Sequence, residues 1–242
     1  MKTYGLIGEK LDYSFSKTFF DAYFKKNNTD AVFINYEIPT VDAVIEVFKK
    51  DISGLTVTIP YKETIIPFLD EITSEAKEIG AVNVIQFKDG KRIGHNSDAY
   101  GFKQSIKPFL TNLHERALIL GTGGASKAVA HVFKSIGIDV IFCSRNPSGP
   151  KEFSYDLLNE HMVNACKVIV NCTPIGTFPN NNESIDFPFQ FLTKDHLVVD
   201  LIYNPAKTKF LQKAEEGGAT ILNGESMLKE QALKAWGIWN EQ

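Results

Sequence analysis

The chain has 242 residues, of which 43% are hydrophobic and 23% charged, and a formal net charge of −3. This length suits two compact domains with real cores, and the near-neutral balance argues against wholesale binding to nucleic acid or an acidic membrane. No apolar run is long enough to span a bilayer, and the opening MKTYGLIGEK lacks the longer apolar stretch and cleavage site of a signal peptide, so a cytoplasmic location is expected.

Strand-like and helix-like segments alternate from the start. YGLIG reads as a strand and SKTFFDAYFKK as a helix with Ser16 as its N-cap. AVFINYEI is a strand, VDAVIEVFKK a helix and LTVTI a strand. Pro60 then stands where a first helical turn tolerates it, ahead of a helix over YKETIIPFLDEI. AVNVIQFKDGKRIGHNS reads as two strands joined by a turn at Asp89-Gly90, and AYGFKQSIKPFL as a helix. A second series follows, with ALILG a strand and GASKAVAHVFKSIG a helix ending at Gly137. DVIFCS, KVIVNCT and LVVDLIY are strands apolar along their whole length, as in a parallel sheet covered on both faces. TFPNNNESIDFPF is polar and proline-bearing and reads as a surface loop. TKFLQKAEEGG is a helix, TILN a short strand and ESMLKEQALKAWGIWNEQ a terminal helix. Two such series, broken near residue 100, predict an α/β fold of two domains with a ligand cleft between them.

Cys143, Cys166 and Cys172 match no zinc spacing, and the five histidines do not pair at ligand spacings, so no metal is expected. The sharpest general motif is ALILGTGGASKAVAHVF, a strand running through Gly121, Gly123 and Gly124 into a helix. Glycines let the backbone approach a pyrophosphate, and the helix N-terminus offers free N–H groups to it. Ser126 occupies the last glycine position of the usual fingerprint. The next strand ends in Ser144, Arg145 and Asn146, with no acid to grip ribose hydroxyls, which favours NADP over NAD.

The first half has no nucleotide turn but carries polar residues at strand ends. Thr56 and Thr58 share a strand, Lys62 follows Pro60, and Asn83 stands inside GAVNVI. Asp98 can cap the helix starting at Ala99 or face a ligand.

Together these blocks resemble the shikimate dehydrogenase family, in the family's order and over most of the chain. YGLIG with YSFS, GLTVTIPYK, GAVNV, GHNSDAYGF, GTGGAS, SRN, VNCTPIGT, DLIYNPAKTKFL and NGESMLKEQA carry the resemblance. It implies an N-terminal α/β substrate-binding domain (1–100), a Rossmann NADP-binding domain (101–223) and a terminal helix (224–242) packing back on the first. Lys62 and Asp98 are then the catalytic pair. Ser14, Ser16, Thr58, Asn83, Asp98 and Gln231 surround the substrate, with Tyr203 on its carboxylate side. Gly121, Gly123, Gly124, Ala125, Ser144, Arg145, Asn146 and Thr173 hold NADP. The sequence departs from the family pattern at Tyr13 for His, Lys17 for Pro, Thr56 for Asn, Ser97 for Thr, Asn146 for Thr and Thr177 for Met.

The reaction implied is reversible reduction of 3-dehydroshikimate to shikimate by NADPH, a step toward chorismate and the aromatic amino acids. The partners implied are small molecules, with no nucleic acid or membrane, and a monomer or homodimer. The rival readings are a quinate or quinate/shikimate dehydrogenase, a regulatory homologue without catalysis, and a Rossmann enzyme of unrelated specificity.

Overall fold

The structure is a computed structural model that describes residues 1–12 and 14–241; Tyr13 lies outside the described residues. The chain divides into two compact units, residues 1–101 with 228–242, and residues 102–227. Among the described residues no helix is long and apolar enough to cross a membrane.

The first unit opens with β1 (Lys2–Gly8), whose side chains alternate between two buried clusters: Tyr4 and Leu6 join one, Ile7 the other. α1 (Phe15–Lys26) follows. Its N-cap is Ser14, whose Oγ accepts from Lys17 N at 3.2 Å, so Ser16, expected as the cap, lies inside the first turn. β2 (Ala31–Glu37) runs parallel to β1. The helix expected over VDAVIEVFKK is a 3₁₀ turn leading into the short α2 (Val44–Phe48). β3 (Gly54–Val57) then pairs parallel with the other side of β1.

The helix expected after Pro60 does not form. The chain makes successive turns, one of them 3₁₀ at Ile66–Phe68, before β4 (Glu71–Ile72). Pro67 would stand in the interior of such a helix, with no N–H to donate and its ring against the preceding turn. The apolar residues that suggested the helix are buried all the same: Ile65 joins the core, and Tyr61 Oη donates to Ile38 O at 2.6 Å. α3 (Ser74–Ile79) is capped by Thr73. β5 (Val84–Lys88) and β6 (Lys91–His95) form the expected hairpin, with Asp89 and Gly90 both at positive φ as its tight turn requires. The sheet order is β2-β1-β3-β5-β6-β4, with β5 antiparallel to both neighbours.

α4 (Asp98–Ile106) leads to the second unit, which contains β7 (Arg116–Leu120), α5 (Gly124–Ser135), β8 (Asp139–Cys143), β9 (Glu152–Phe153), α6 (Glu160–Ala165), β10 (Val168–Asn171), β11 (Leu197–Asp200), α7 (Lys209–Glu216) and β12 (Thr220–Leu222). β9 and α6 are too short to have stood out in the sequence. The order β9-β8-β7-β10-β11-β12 is all parallel. In chain order within the unit this is 3-2-1-4-5-6, the doubly wound arrangement of dinucleotide-binding folds, with its switch point between β7 and β10. Leu118, Ile169 and Val198 face α6 and α7 in one buried cluster. The loop read over TFPNNNESIDFPF is irregular as expected, but Ile185 and Phe187 anchor it in that cluster.

The last helix, α8 (Glu225–Asn240), belongs from residue 228 onward to the first unit. Ala232, Ala235, Ile238 and Trp239 join Tyr4, Phe20, Phe33 and Val84 in one core. Trp239 stacks on Tyr4 at 4.9 Å between ring centres and donates Nε1–H to Ile85 O at 3.2 Å.

Candidate active site

In the first unit the polar residues gather at one edge of the sheet because of its mixed topology. The carboxyl ends of β1, β3 and β6 and the amino end of the antiparallel β5 share that edge: Val57 lies opposite Ile7 and bonds Asn83 O, and His95 lies opposite Val84. Carboxyl ends of strands are where α/β folds bind ligands.

Lys62 and Asp98 meet there. Lys62 Nζ donates to Asp98 Oδ2 at 2.6 Å, with the lysine side chain 16% exposed and the aspartate 2%. Asn83 holds the other carboxylate oxygen, donating Nδ2–H to Asp98 Oδ1 at 2.8 Å. The same amide nitrogen lies 3.1 Å from Ser97 Oγ and 3.3 Å from Gln231 Oε1, and Asn83 Oδ1 accepts from Ser97 N at 2.6 Å. Lys62, Asn83, Asp98 and Gln231 are thus brought into one hydrogen-bonded group, from four separate stretches of chain. The capping role allowed for Asp98 belongs instead to Asn96, whose Oδ1 accepts from Ala99 N at 3.1 Å while its Nδ2 donates to Ala81 O. Asp98 is the first residue of α4, and its carboxylate turns to Lys62 and Asn83.

Thr58 lies just past β3, its N–H on Ile7 O, and Ser14 and Ser16 start the helix after β1. All three are half-buried near the carboxyl ends of β1 and β3 in the chain. Tyr203 is half-buried in the second unit, in the segment after β11.

An ammonium group has three N–H donors, so Lys62 can hold Asp98 and still present a proton to a ligand oxygen. A carboxylate fixed on both oxygens keeps that ammonium aimed.

The predicted cofactor residues lie in the second unit. Gly121 takes a φ of +101° directly after β7, and a Cβ there would stand 3.1 Å from Thr173 Cγ2. A Cβ at Gly123 would meet nothing within 4 Å, which leaves open space at the backbone. No side chain caps α5, whose first residues are Gly124 and Ala125. Arg145 is exposed after β8, where Ser144 Oγ accepts from Asn146 N at 3.2 Å. An open glycine turn, an uncapped helix start and an exposed arginine beside the next strand end fit a phosphorylated dinucleotide.

Sequence reasoning missed a buried network in this unit. Asp200, fully buried at the end of β11, accepts from Thr208 Oγ1 (2.6 Å), Asn171 Nδ2 (3.0 Å) and Ile202 N (3.1 Å). Asn171 Oδ1 in turn accepts from Thr173 N and Oγ1 at 2.9 and 2.8 Å. The available signal was one polar residue closing each of two apolar strands, VIVN and LVVD.

Residues 6–85 match the family model described as shikimate dehydrogenase substrate binding domain. A shikimate dehydrogenase (NADP(+)) from Clostridium botulinum is 38% identical over an alignment of 250 residues, covering 99% of this chain and 96% of the relative. This chain belongs to the shikimate dehydrogenase family. The crystal structure of shikimate dehydrogenase from Aquifex aeolicus superposes with a TM-score of 0.88 at 34% identity, covering 99% of this chain and 92% of that one. The shikimate 5-dehydrogenase of Thermus thermophilus in complex with NADP(H) and shikimate does so with 0.87 at 26% identity, over 99% and 94%.

Three departures from the shikimate dehydrogenase pattern, at Thr56, Lys17 and Ser97, have local structural accounts. Thr56 Oγ1 donates to Gly5 O across the β1–β3 pair at 3.2 Å. Lys17 Nζ reaches Asp21 Oδ2 (2.8 Å) and Phe33 O (2.9 Å), tying α1 to the edge strand β2. Ser97 keeps the hydroxyl that Asn83 faces.

Proposed function

We propose that this chain catalyses the reversible reduction of 3-dehydroshikimate to shikimate with NADPH, with Lys62 and Asp98 as its catalytic pair. The observation that carries the reading is the Lys62–Asp98 contact of 2.6 Å, fixed by Asn83 at a strand-end edge of a shikimate dehydrogenase-family chain. NADPH, when bound, supplies the hydride that reduces the ring carbonyl carbon.

The remaining work is proton traffic and grip. Lys62 gives a proton to the carbonyl oxygen in reduction and takes one from the hydroxyl in oxidation. Asp98 keeps Lys62 aimed and accepts a hydrogen bond from a neighbouring ring hydroxyl. Ser14 and Ser16 offer neutral hydroxyl donors to the substrate carboxylate, with Tyr203 as a third. Asn83 and Gln231 each offer a donor and an acceptor to ring hydroxyls. A site built this way rejects analogues lacking those hydroxyls, because its own polar groups are left unpaired. Gly121, Gly123, Gly124 and Ala125 receive the pyrophosphate, Arg145 with Ser144 and Asn146 the 2′-phosphate.

The test is oxidation of shikimate with NADP⁺, followed by absorbance of the reduced nicotinamide and repeated with NAD⁺ and with quinate. Turnover of shikimate with NADP⁺, falling off with NAD⁺ and with quinate, is the expected result. Absence of turnover on shikimate with either cofactor rejects the assignment.

A further inference from the structure

The buried network around Asp200 has no part in the chemistry described so far, yet it lies at the ends of β10 and β11, beside the switch point. Its geometry is directional. Asp200 has two oxygens and receives three donors, two on Oδ1 and one on Oδ2, an arrangement suited to an ionised carboxylate, which only accepts. Each donor comes from a different piece of chain: Asn171 ends β10, Ile202 follows β11, and Thr208 caps α7 through its hydroxyl, which accepts from Leu211 N at 3.2 Å.

The relay continues from Asn171 to Thr173. The Thr173 hydroxyl donates to Asn171 Oδ1 and accepts from Ile175 N at 3.3 Å, so it is consumed inside the protein. With the hydroxyl held inward, the atom that Thr173 turns toward Gly121 is its methyl Cγ2. Two turns, one after β7 and one after β10, therefore meet at a fixed spacing on either side of the switch point, where a doubly wound sheet receives its ligand.

We propose that Asp200 is a positioning residue for the dinucleotide, fixing through Asn171 the Thr173 turn that faces the glycine turn at Gly121. The inference rests on the NADP reading above. It gives a role to a carboxylate that stands in a site with no exposure at all, where burial opposes its charge.

The test measures NADP⁺ dissociation constants by titration calorimetry, together with melting of the cofactor-free protein. Asp200→Asn keeps the shape but turns one acceptor into a donor. It should weaken NADP⁺ binding about tenfold at pH 8, the scale of one broken buried hydrogen bond. Thr173→Val keeps the methyl against Gly121 and removes only the relay hydroxyl; it should weaken binding in the same direction and serves alone if the Asp200 variant does not fold. Because both act through one relay, the double variant should bind no worse than the weaker single one.

A pH series adds a readout that a purely structural role would not move. Burial raises the Asp200 carboxyl to about 6 against its three hydrogen bonds, so below that pH the wild type carries a neutral group like the asparagine. The ratio of variant to wild-type dissociation constants should therefore shrink toward one as pH falls from 8 to 5; taking the ratio cancels titration of the cofactor's own phosphate. Cys172 is the titratable neighbour whose charge bears on Asp200, and burial pushes its thiol up, so it stays neutral over this range. On α7, Lys213, Glu215 and Glu216 are exposed and Lys209 is half-buried, and β12 carries no titratable side chain. Unchanged dissociation constants in both single variants, additive effects in the double, or a ratio constant with pH would each overturn the inference. A wild type that does not bind NADP⁺ would overturn the cofactor reading along with it.

Discussion

At the scale of single residues, the proposed chemistry depends on Lys62. It is a half-buried cation whose partner, Asp98, is nearly inaccessible and held on both oxygens. Lys62→Ala should lower kcat by about 10²–10⁴, the usual worth of a positioned acid–base group, while leaving the NADP⁺ dissociation constant within about twofold. The residues proposed to hold the cofactor are remote in sequence and belong to the other unit, so a large loss of NADP⁺ affinity in this variant would contradict the division of labour. The same substitution leaves Asp98 buried without its cation, and a lower melting temperature should accompany the kinetic loss. Lys62 and Asp98 were legible in the sequence as members of strand-end blocks. The support around them was less so: Asn96 stands within GHNSDAYGF with no local signal of its role, and only the fold shows that it caps α4 and frees Asp98 from that task.

At the scale of elements, local chemistry predicted what local chemistry decides. The Asp89-Gly90 hairpin and the Gly121 turn are set by φ values that few other residues adopt, and both stand where the sequence put them. The segment after Pro60 misled because its apolar spacing resembles a helix, while Pro67 removes a donor that a helix needs there. Those apolar side chains serve the core from turns instead. β3 shows a constraint of another kind. A Cβ at Gly54 would stand 2.4 Å from Trp239 Cδ1, so α8 packs directly on the strand backbone. Gly54→Ala should destabilise the protein by about 1–3 kcal/mol, as expected for overpacking a close contact. Equilibrium urea unfolding followed by tryptophan fluorescence measures it, and a variant as stable as the wild type would show that α8 can move away freely.

At the scale of the whole molecule, the strand order of the second unit and the return of α8 to the first core are products of long-range pairing, beyond any local pattern. One repeated device is visible only here. Thr111-to-His114 and Thr193-to-His196 form matching turns, each with the threonine N–H donating to the histidine Nδ1 at 3.0 Å, ahead of β7 and β11. In the second, His196 Nε2 donates to Val163 O at 3.0 Å. Both rings must be neutral for Nδ1 to accept, and burial pushes both below the ordinary histidine value, as it does His95. A lowered histidine contributes stability that is present above its unfolded value, about 6.5, and is lost as pH falls below it. Asp200, raised to about 6, acts in the opposite sense, adding stability as pH falls from about 6 toward 4. Three histidines outweigh one carboxylate in the upper part of the range, so the melting temperature should fall between pH 7 and 5.5. A melting temperature flat across that interval would mean that these rings accept protons without disturbing their turns.

The membership of α8 in the first unit also bears on how the chain is made. Residues 1–101 emerge from the ribosome with their strands and helices but without Ala232, Ala235, Ile238 and Trp239, the side chains that close the core around Tyr4, Phe33 and Val84. The second unit, continuous in sequence from 102 to 227, has no such wait. The second unit therefore has all of its residues before the first unit does. Until those residues follow, the core around Tyr4, Phe33 and Val84 is covered by Phe20 and Phe24 of α1 but lacks its α8 wall.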